Sequence, residues 1–453
     1  MNSPVSSRYR SSSITSTWWS RSFKKRTCWA GDTIQGLTMK IILIHYSAPP
    51  IVGGVEGVLQ HHSSLMASDG HEVKVIAGRG AQFDPRVQFI HLPLVDSRHS
   101  QVLSVKRELD KGIVSAGFKE LTAGMERELS AHLADTDFVI AHNVCSLNKN
   151  LALTAALFNL SRRDDPSIAK HSQRHMPRMA LWHHDLAWTT PRYQDELHPG
   201  HPWDLLKTAW PGAAQVAVSE MRADELATLM KLEKSQITVI PNGVDMEEFF
   251  KLEEETRSYI KQLDLMRASP LLLLPVRITP RKNIEFALKV LSALRARFPA
   301  AQVVVTGPLG PHNPANVEYF ERLHTLRAEL GLANAFHFLA ELTDAYLPDA
   351  VISDFYQLAD VLFFPSHEEG FGIPILEAGF ARLPVFCSDI PPLRSLGGEF
   401  ANYFSPEADP EHVAEAIVNH LSTSRIFGLR ASVRSQYTWE QVYRTRIVPL
   451  LNA

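Results

Sequence analysis

The chain has 453 residues, 45% of them hydrophobic and 21% charged, a balance that suits a globular protein with more than one core. A formal net charge of −3 excludes a general nucleic-acid binder, whose binding domain would be basic. Three cysteines, Cys28, Cys145 and Cys387, form no C-x-x-C pair, which excludes a disulfide framework and a structural zinc and suits a reducing, cytoplasmic compartment.

Residues 1–38 stand apart from the rest. Met1 to Ala30 is rich in serine and carries Arg8, Arg10, Arg21, Lys24, Lys25 and Arg26 without an acidic residue. It has no apolar h-region, so it does not read as a secretory signal. We read residues 1–38 as a disordered extension, because an apolar strand begins directly after Met39. No later apolar run approaches the ~20 residues of a spanning helix.

From Lys40 onward apolar strands alternate with amphipathic helices. Lys40–His45 reads as a strand, Val55–Ser68 as a helix and Glu72–Ala77 as a strand. Val102–Leu133 is amphipathic with mixed charge. Phe138–Ala141, Met179–Trp182, Gln215–Val218 and Ile237–Ile240 are further short apolar strands, the last running into a Pro241-Asn-Gly-Val-Asp245 turn. Phe249–Arg267 is charged and helical. A second alternating set follows: strands Leu271–Val276, Gln302–Thr306, Phe336–Leu339, Val361–Phe364 and Val385–Cys387, with helices Ile284–Arg297 and Ala315–Leu330 among them. Such alternation predicts α/β architecture: two doubly wound, parallel-sheet, Rossmann-like domains facing across a cleft, with ligands at the carboxyl ends of the strands. The expected division is 39–248 for the first domain, 249–268 for a linker, 269–435 for the second domain and 436–453 for a closing helix.

The loops after the strands carry the chemistry. After the first strand comes Ser47-Ala-Pro-Pro-Ile-Val-Gly53-Gly54-Val-Glu56-Gly57. It is not G-x-G-x-x-G, and the second strand ends in Ala77-Gly-Arg79 without an acid for an adenosine ribose, which disfavours a dinucleotide dehydrogenase. Gly53 and Gly54 let backbone approach a ligand at a helix start. Leu271–Val276 delivers Arg277 and then Lys282, two cations able to neutralise a diphosphate without a metal. The bland reading of both is exposed surface charge. Gln302–Thr306 ends at Gly307, a turn or a backbone contact to a nucleotide. His142-Asn143 and Trp182-His183-His184-Asp185 follow two strands of the first domain. Adjacent residues on a strand point to opposite faces, so His183 and His184 do not readily share an ion, and no zinc pattern is present. Histidines packed by Trp182 and Trp188 are the plain alternative.

The most informative stretch is Phe363–Leu393: a strand, a glycine turn, a short helix opened by Pro374, and a second strand. Gly370 and Gly372 allow a tight turn that exposes N–H groups, and the helix start suits an anion. Glu369 and Glu377 frame it and can accept from hydroxyls. Phosphates in the middle and hydroxyls at both ends describe a nucleotide sugar.

Glu369-Gly-Phe-Gly-Ile-Pro-Ile-Leu-Glu377-Ala resembles the signature of retaining nucleotide-sugar glycosyltransferases, most closely glycosyltransferase family 4 with its GT-B fold. The resemblance implies a metal-free, same-face transfer of a hexose from a nucleotide diphosphate sugar to an acceptor hydroxyl. It implies Arg277 and Lys282 on the leaving diphosphate, Glu377 on the ribose and Glu369 on the donor sugar. Gly53, Gly54, Gly307 and the backbone of Gly370, Phe371, Gly372 and Ile373 would lie against the donor, and His183 or His184 would touch its sugar. Family members carry glycine where this chain has Val276, and their last helix crosses back to the first domain. Implied partners are the nucleotide sugar as co-substrate and a sugar, small-molecule or lipid acceptor, with no other cofactor, no metal and no nucleic acid; peripheral contact with the inner membrane surface is left open. Asp135-Thr-Asp137 matches the metal-holding D-x-D of the other major glycosyltransferase fold, but it precedes a strand and so reads as a helix-to-strand turn. The donor base, the acceptor and the linkage are not fixed. Two other classes stay in view: a retaining glycosidase, which would have no use for Arg277 and Lys282, and a non-catalytic sugar-nucleotide-binding protein.

Overall fold

The computed structural model describes residues 38–162, 177–309 and 314–453. The chain divides into two units, Met1–Leu37 and Thr38–Ala453. The expected extension falls, but for Thr38, outside the described residues, and the second unit holds both sheets.

Its first sheet has seven parallel strands: β1 (Lys40–His45), β2 (Glu72–Ala77), β3 (Val87–His91), β4 (Phe138–His142), β5 (Arg178–His183), β6 (Ala213–Ala217) and β7 (Ile237–Val239), in the order β3-β2-β1-β4-β5-β6-β7. The second sheet has six: β8 (Leu271–Leu274), β9 (Gln302–Val305), β10 (Phe336–Phe338), β11 (Val361–Phe364), β12 (Val385–Ser388) and β13 (Asn402–Phe404), in the order β10-β9-β8-β11-β12-β13. Continuous apolar strands such as Leu271–Leu274 and Val361–Phe364 are buried throughout, as helices on both faces require. These are two Rossmann-like sheets of the GT-B type, as the alternation predicts.

In each sheet the strand order reverses beside the first strand, so a crevice opens between the loops that follow the two diverging strands. In the first sheet that point lies between β1 and β4. In the second it lies between β8 and β11. The loops bearing Gly53, Arg277 and Glu369 leave from β1, β8 and β11, and His142 ends β4.

Residues 249–268, expected as a linker, include the helix Glu254–Leu263, whose Tyr259 and Ile260 are buried in the core of the second sheet. Thr256 Oγ1 donates to Asp354 Oδ2 at 2.6 Å. The chain end runs through Trp439–Val442, a π-helical turn at Tyr443–Ile447 and Val448–Asn452. Val442, Tyr443 and Ile447 share a core with Ile41, Leu43 and Trp182 of the first sheet. Tyr443 Oη also donates to Asp69 at 3.0 Å. Asp135 and Asp137 hold the amino end of β1, through Lys40 Nζ at 2.5 Å and Lys40 N at 2.7 Å.

Candidate functional site

β8 and β11 pair in parallel and bring together groups far apart in the chain. Lys282 follows β8 in a 3₁₀ turn, Pro280–Lys282, and Glu369 follows β11. Lys282 Nζ donates to Glu369 Oε1, with both side chains almost buried at 8% and 9% exposure. Ser366 Oγ donates to the same oxygen at 2.7 Å, and Arg281 Nη1 stands 3.9 Å from Glu369 Oε2. Burial lowers the Lys282 pKa, with Arg281 and Arg277 adding to the lowering and Glu369 opposing it. Arg277 is exposed and near enough to Lys282 to act on its charge. The second sheet thus ends in a cluster of cations around one held carboxylate.

Gly307 builds the floor of this cluster. A Cβ there would lie 2.0 Å from the Val276 carbonyl oxygen and 2.6 Å from Arg277 N, so only glycine lets the two loops touch. Ile278 N then donates to Pro308 O at 3.2 Å, tying the Arg277 loop to the Gly307 loop.

The turn after Glu369 leads into the helix Ile373–Phe380, with Pro374 as its second residue and Gly372 as its N-cap at φ 104°. That left-handed cap favours glycine. Gly370, Phe371 and Ile373 are exposed, so the helix start with its free N–H groups is open. Glu377 is half-buried one turn further on. Tyr356 Oη donates to its Oε2 at 2.5 Å, and burial first, then Glu377, raises the Tyr356 pKa. Tyr356 escaped the sequence reading: it lies on another helix, Asp349–Leu358, and no spacing links it to Glu377.

At the switch point of the first sheet, Gly53 is the extended N-cap of the helix Gly54–Ser68, and both glycines are exposed. The Glu56 carboxylate folds back over Gly53, held by Ser47 Oγ at 2.5 Å. His45 Nδ1 donates to His142 O at 2.8 Å, joining the ends of β1 and β4.

The two adjacent histidines separate. His183 closes β5 with 1% exposure, its Nε2 2.8 Å from Gln215 Oε1 on β6. His184 is half-buried and its Nε2 lies 3.2 Å from His142 Nδ1. Asn143, at φ 58°, accepts with its Oδ1 from His184 N at 2.9 Å and Asp185 N at 3.1 Å. Burial pushes His183 down to about 4 and His184 down to about 3, so both rings are neutral near pH 7.

Among the described residues no group of three His, Cys, Asp or Glu side chains could hold a metal ion, and no helix is long and apolar enough to cross a membrane. A cavity of about 620 Å³ lies at the opposite, amino ends of β11 and β12, beside Asp360, Pro384 and Val385. Ligands of doubly wound sheets bind at carboxyl ends, so the strand-end crevices are the better candidate site.

Comparison with known proteins bears on this arrangement. Residues 52–248 match the model of Glycosyltransferase Family 4, and residues 256–434 match that of Glycosyl transferases group 1. The MMP alpha-(1->4)-mannosyltransferase of Mycolicibacterium hassiacum is 24% identical over 85% of this chain and 90% of its own length. A D-inositol 3-phosphate glycosyltransferase of Streptomyces bingchenggensis is 30% identical over 40% of this chain and 39% of its own. Among solved structures, that of WaaG, a glycosyltransferase involved in lipopolysaccharide biosynthesis, aligns over 91% of this chain and 98% of its own at 16% identity and a TM-score of 0.33. Both family models fall on the two sheets just described, and the chain belongs to the GT-B glycosyltransferases, enzymes that move a sugar from a nucleotide diphosphate donor.

Proposed function

We propose that this glycosyltransferase is a retaining hexosyltransferase whose donor lies along the second sheet, from Glu377 across the glycine turn to Glu369. The observation that carries the reading is the meeting of Lys282, Glu369 and Arg277 beside an open helix start, at the switch point between β8 and β11. Glu377, oriented by Tyr356, accepts from the ribose hydroxyls. The diphosphate lies on Arg277, Lys282 and the N–H groups that open the helix Ile373–Phe380. Glu369, held by Ser366 and Lys282, accepts from hydroxyls of the sugar. His184 reaches the sugar from the first sheet, in preference to His183, which is committed to Gln215. The loop of Gly53 and Gly54 borders the donor and the acceptor.

The chemistry follows from the charges. The bond from the anomeric carbon to the diphosphate oxygen breaks, and the diphosphate takes the electron pair. Arg277 and Lys282 stabilise the charge that develops there, the nearly buried Lys282 most effectively. The acceptor oxygen bonds to the same face of the sugar, and its proton passes to the leaving phosphate oxygen. No side-chain nucleophile is needed, and the two cations do the work a metal would do.

A thermal-shift screen against UDP, GDP, ADP and their sugars tests this reading. One nucleoside diphosphate should raise the melting temperature, and transfer or slow hydrolysis of its sugar should persist in EDTA. Activity lost in EDTA and restored by Mn²⁺ or Mg²⁺ would reject the cationic mechanism. An enzyme that cleaves glycosides and ignores all three nucleotides would support a glycosidase instead.

A further inference from the structure

We propose that His142 is a positioning residue for the transfer: its Nδ1–H donates to His184 Nε2 and holds His184 in the tautomer that offers Nδ1–H to the ligand. The inference rests on the reading above that His184 faces the donor sugar.

His142 ends β4 and His184 follows β5, the neighbouring strand. Their ring nitrogens are 3.2 Å apart, so one must donate and the other accept. Burial holds the His142 pKa well below the ordinary imidazole value and lowers that of His184, so each ring carries a single N–H. Two arrangements are available. Either His142 is protonated at Nδ1 and donates, or His184 is protonated at Nε2 and donates.

The second arrangement moves the His142 proton to Nε2. That atom is buried and has no hydrogen-bond partner among the described residues. Besides His184, the rings packed against His142 are Trp182 and His62, with centroids 5.2 Å and 5.5 Å away, and neither bonds to that atom. A buried N–H without an acceptor costs roughly 1–3 kcal/mol. Orphaned donors are also rarer than orphaned acceptors, so a bare lone pair is the better occupant of that position. The first arrangement leaves only the lone pair. His184 then has its proton on Nδ1, the nitrogen with no hydrogen-bond partner among the described residues. The His142 ring is fully buried and packed against Trp182 and His62, and Asn143 Oδ1 and His45 Nδ1 hold the backbone from which the two rings project. A hydroxyl or ring oxygen of a sugar thus meets a donor with one defined direction.

The test is ¹⁵N NMR of histidine-labelled full-length protein, with the His184 signals identified by their loss in His184→Gln. The expected spectrum has Nδ1 protonated and Nε2 bare. In His142→Phe the Nε2–H tautomer should appear, and kcat with the nucleotide sugar found by the screen should fall by about 10²-fold. Binding of the bare nucleoside diphosphate should not change. His142→Asn puts an amide donor near the Nδ1 position and should recover most of the rate. A wild-type His184 protonated on Nε2 would overturn the proposal, as would a His142→Phe protein with unchanged tautomer and kcat. If His142→Phe does not fold, the wild-type tautomer and the Asn variant decide. A His184→Ala protein with unaltered kcat would fault the placement of His184 at the sugar, while leaving the measured tautomer to stand or fall by itself.

Discussion

At the scale of single residues, the candidate site is built from charges that hold each other. Glu369 accepts from Lys282 and Ser366, and it is the carboxylate to which the buried Lys282 donates. Removing one partner of such a pair strands the other in a low-dielectric site. Glu369→Ala should therefore cost about 3 kcal/mol of stability or more, and Glu369→Gln distinctly less, because the amide oxygen still accepts from Lys282. Urea titrations of the three proteins measure this. Equal midpoints for wild type and Glu369→Ala would mean that water already screens Lys282. The same pairing fixes the Glu369 oxygens that we propose accept from the donor sugar, as Tyr356 fixes those of Glu377.

At the scale of loops, strands and helices, neighbouring glycines differ in what they do. A methyl at Gly307 would strike backbone at 2.0 Å, whereas a methyl at Gly53 would strike the far end of the Glu56 side chain at 2.1 Å. Backbone cannot yield and a side chain can. Gly307→Ala should lower the melting temperature by several degrees and impair the Arg277 loop, while Gly53→Ala should melt within about a degree of wild type. Scanning calorimetry of both variants checks the contrast; equal losses would contradict it. This distinction was invisible in the sequence, where both positions read as glycines in loops. The interior strands were legible because both faces of β1, β4, β8 and β11 are apolar. The edge strands β3 and β13 were not read as strands, since Val87–His91 buries only Val87 and Asn402–Phe404 is half-buried along its length. The fate of His183 and His184 depended on where β5 stops. That strand runs one residue beyond Trp182, and the partners Gln215 and His142 lie on strands that no local pattern links to it. Tyr356 and Ser366 were likewise unreadable as supports, since a hydrogen bond across elements leaves no periodicity.

For the whole molecule, the first sheet and the helix Gly54–Ser68 keep several histidines buried and neutral. Burial lowers His45 and His183 to about 4 and His62 to about 3, and holds His142 well below its ordinary value of 6.5. In the unfolded chain each of these titrates near 6.5. Above that pH neither state binds the proton and stability is insensitive to these groups. Below it the unfolded chain takes protons that the folded state refuses, so stability falls as pH drops, until the folded values near 4 to 3 are reached. Each histidine can contribute up to ~1.4 kcal/mol per pH unit in that window. Urea midpoints should nearly coincide at pH 8.0 and 7.0 and be clearly lower at pH 5.0. His62→Leu, which removes two ring nitrogens without partners among the described residues, should flatten that dependence. A midpoint at pH 5.0 equal to that at pH 8.0 would show that these rings are protonated in the fold.

The central claim is that one donor spans from Glu377 to Glu369. Isothermal calorimetry with the cognate nucleoside diphosphate tests it most directly, on Glu377→Ala and Glu369→Ala proteins verified as folded. The proposed ribose contact would be made by the bare nucleotide too, so Glu377→Ala should bind it at least tenfold more weakly. The sugar contact is absent from it, so Glu369→Ala should bind nearly as wild type does, while its kcat falls by about 10²-fold or more. Normal binding by Glu377→Ala together with lost binding by Glu369→Ala would reverse the two ends of the donor and contradict the account.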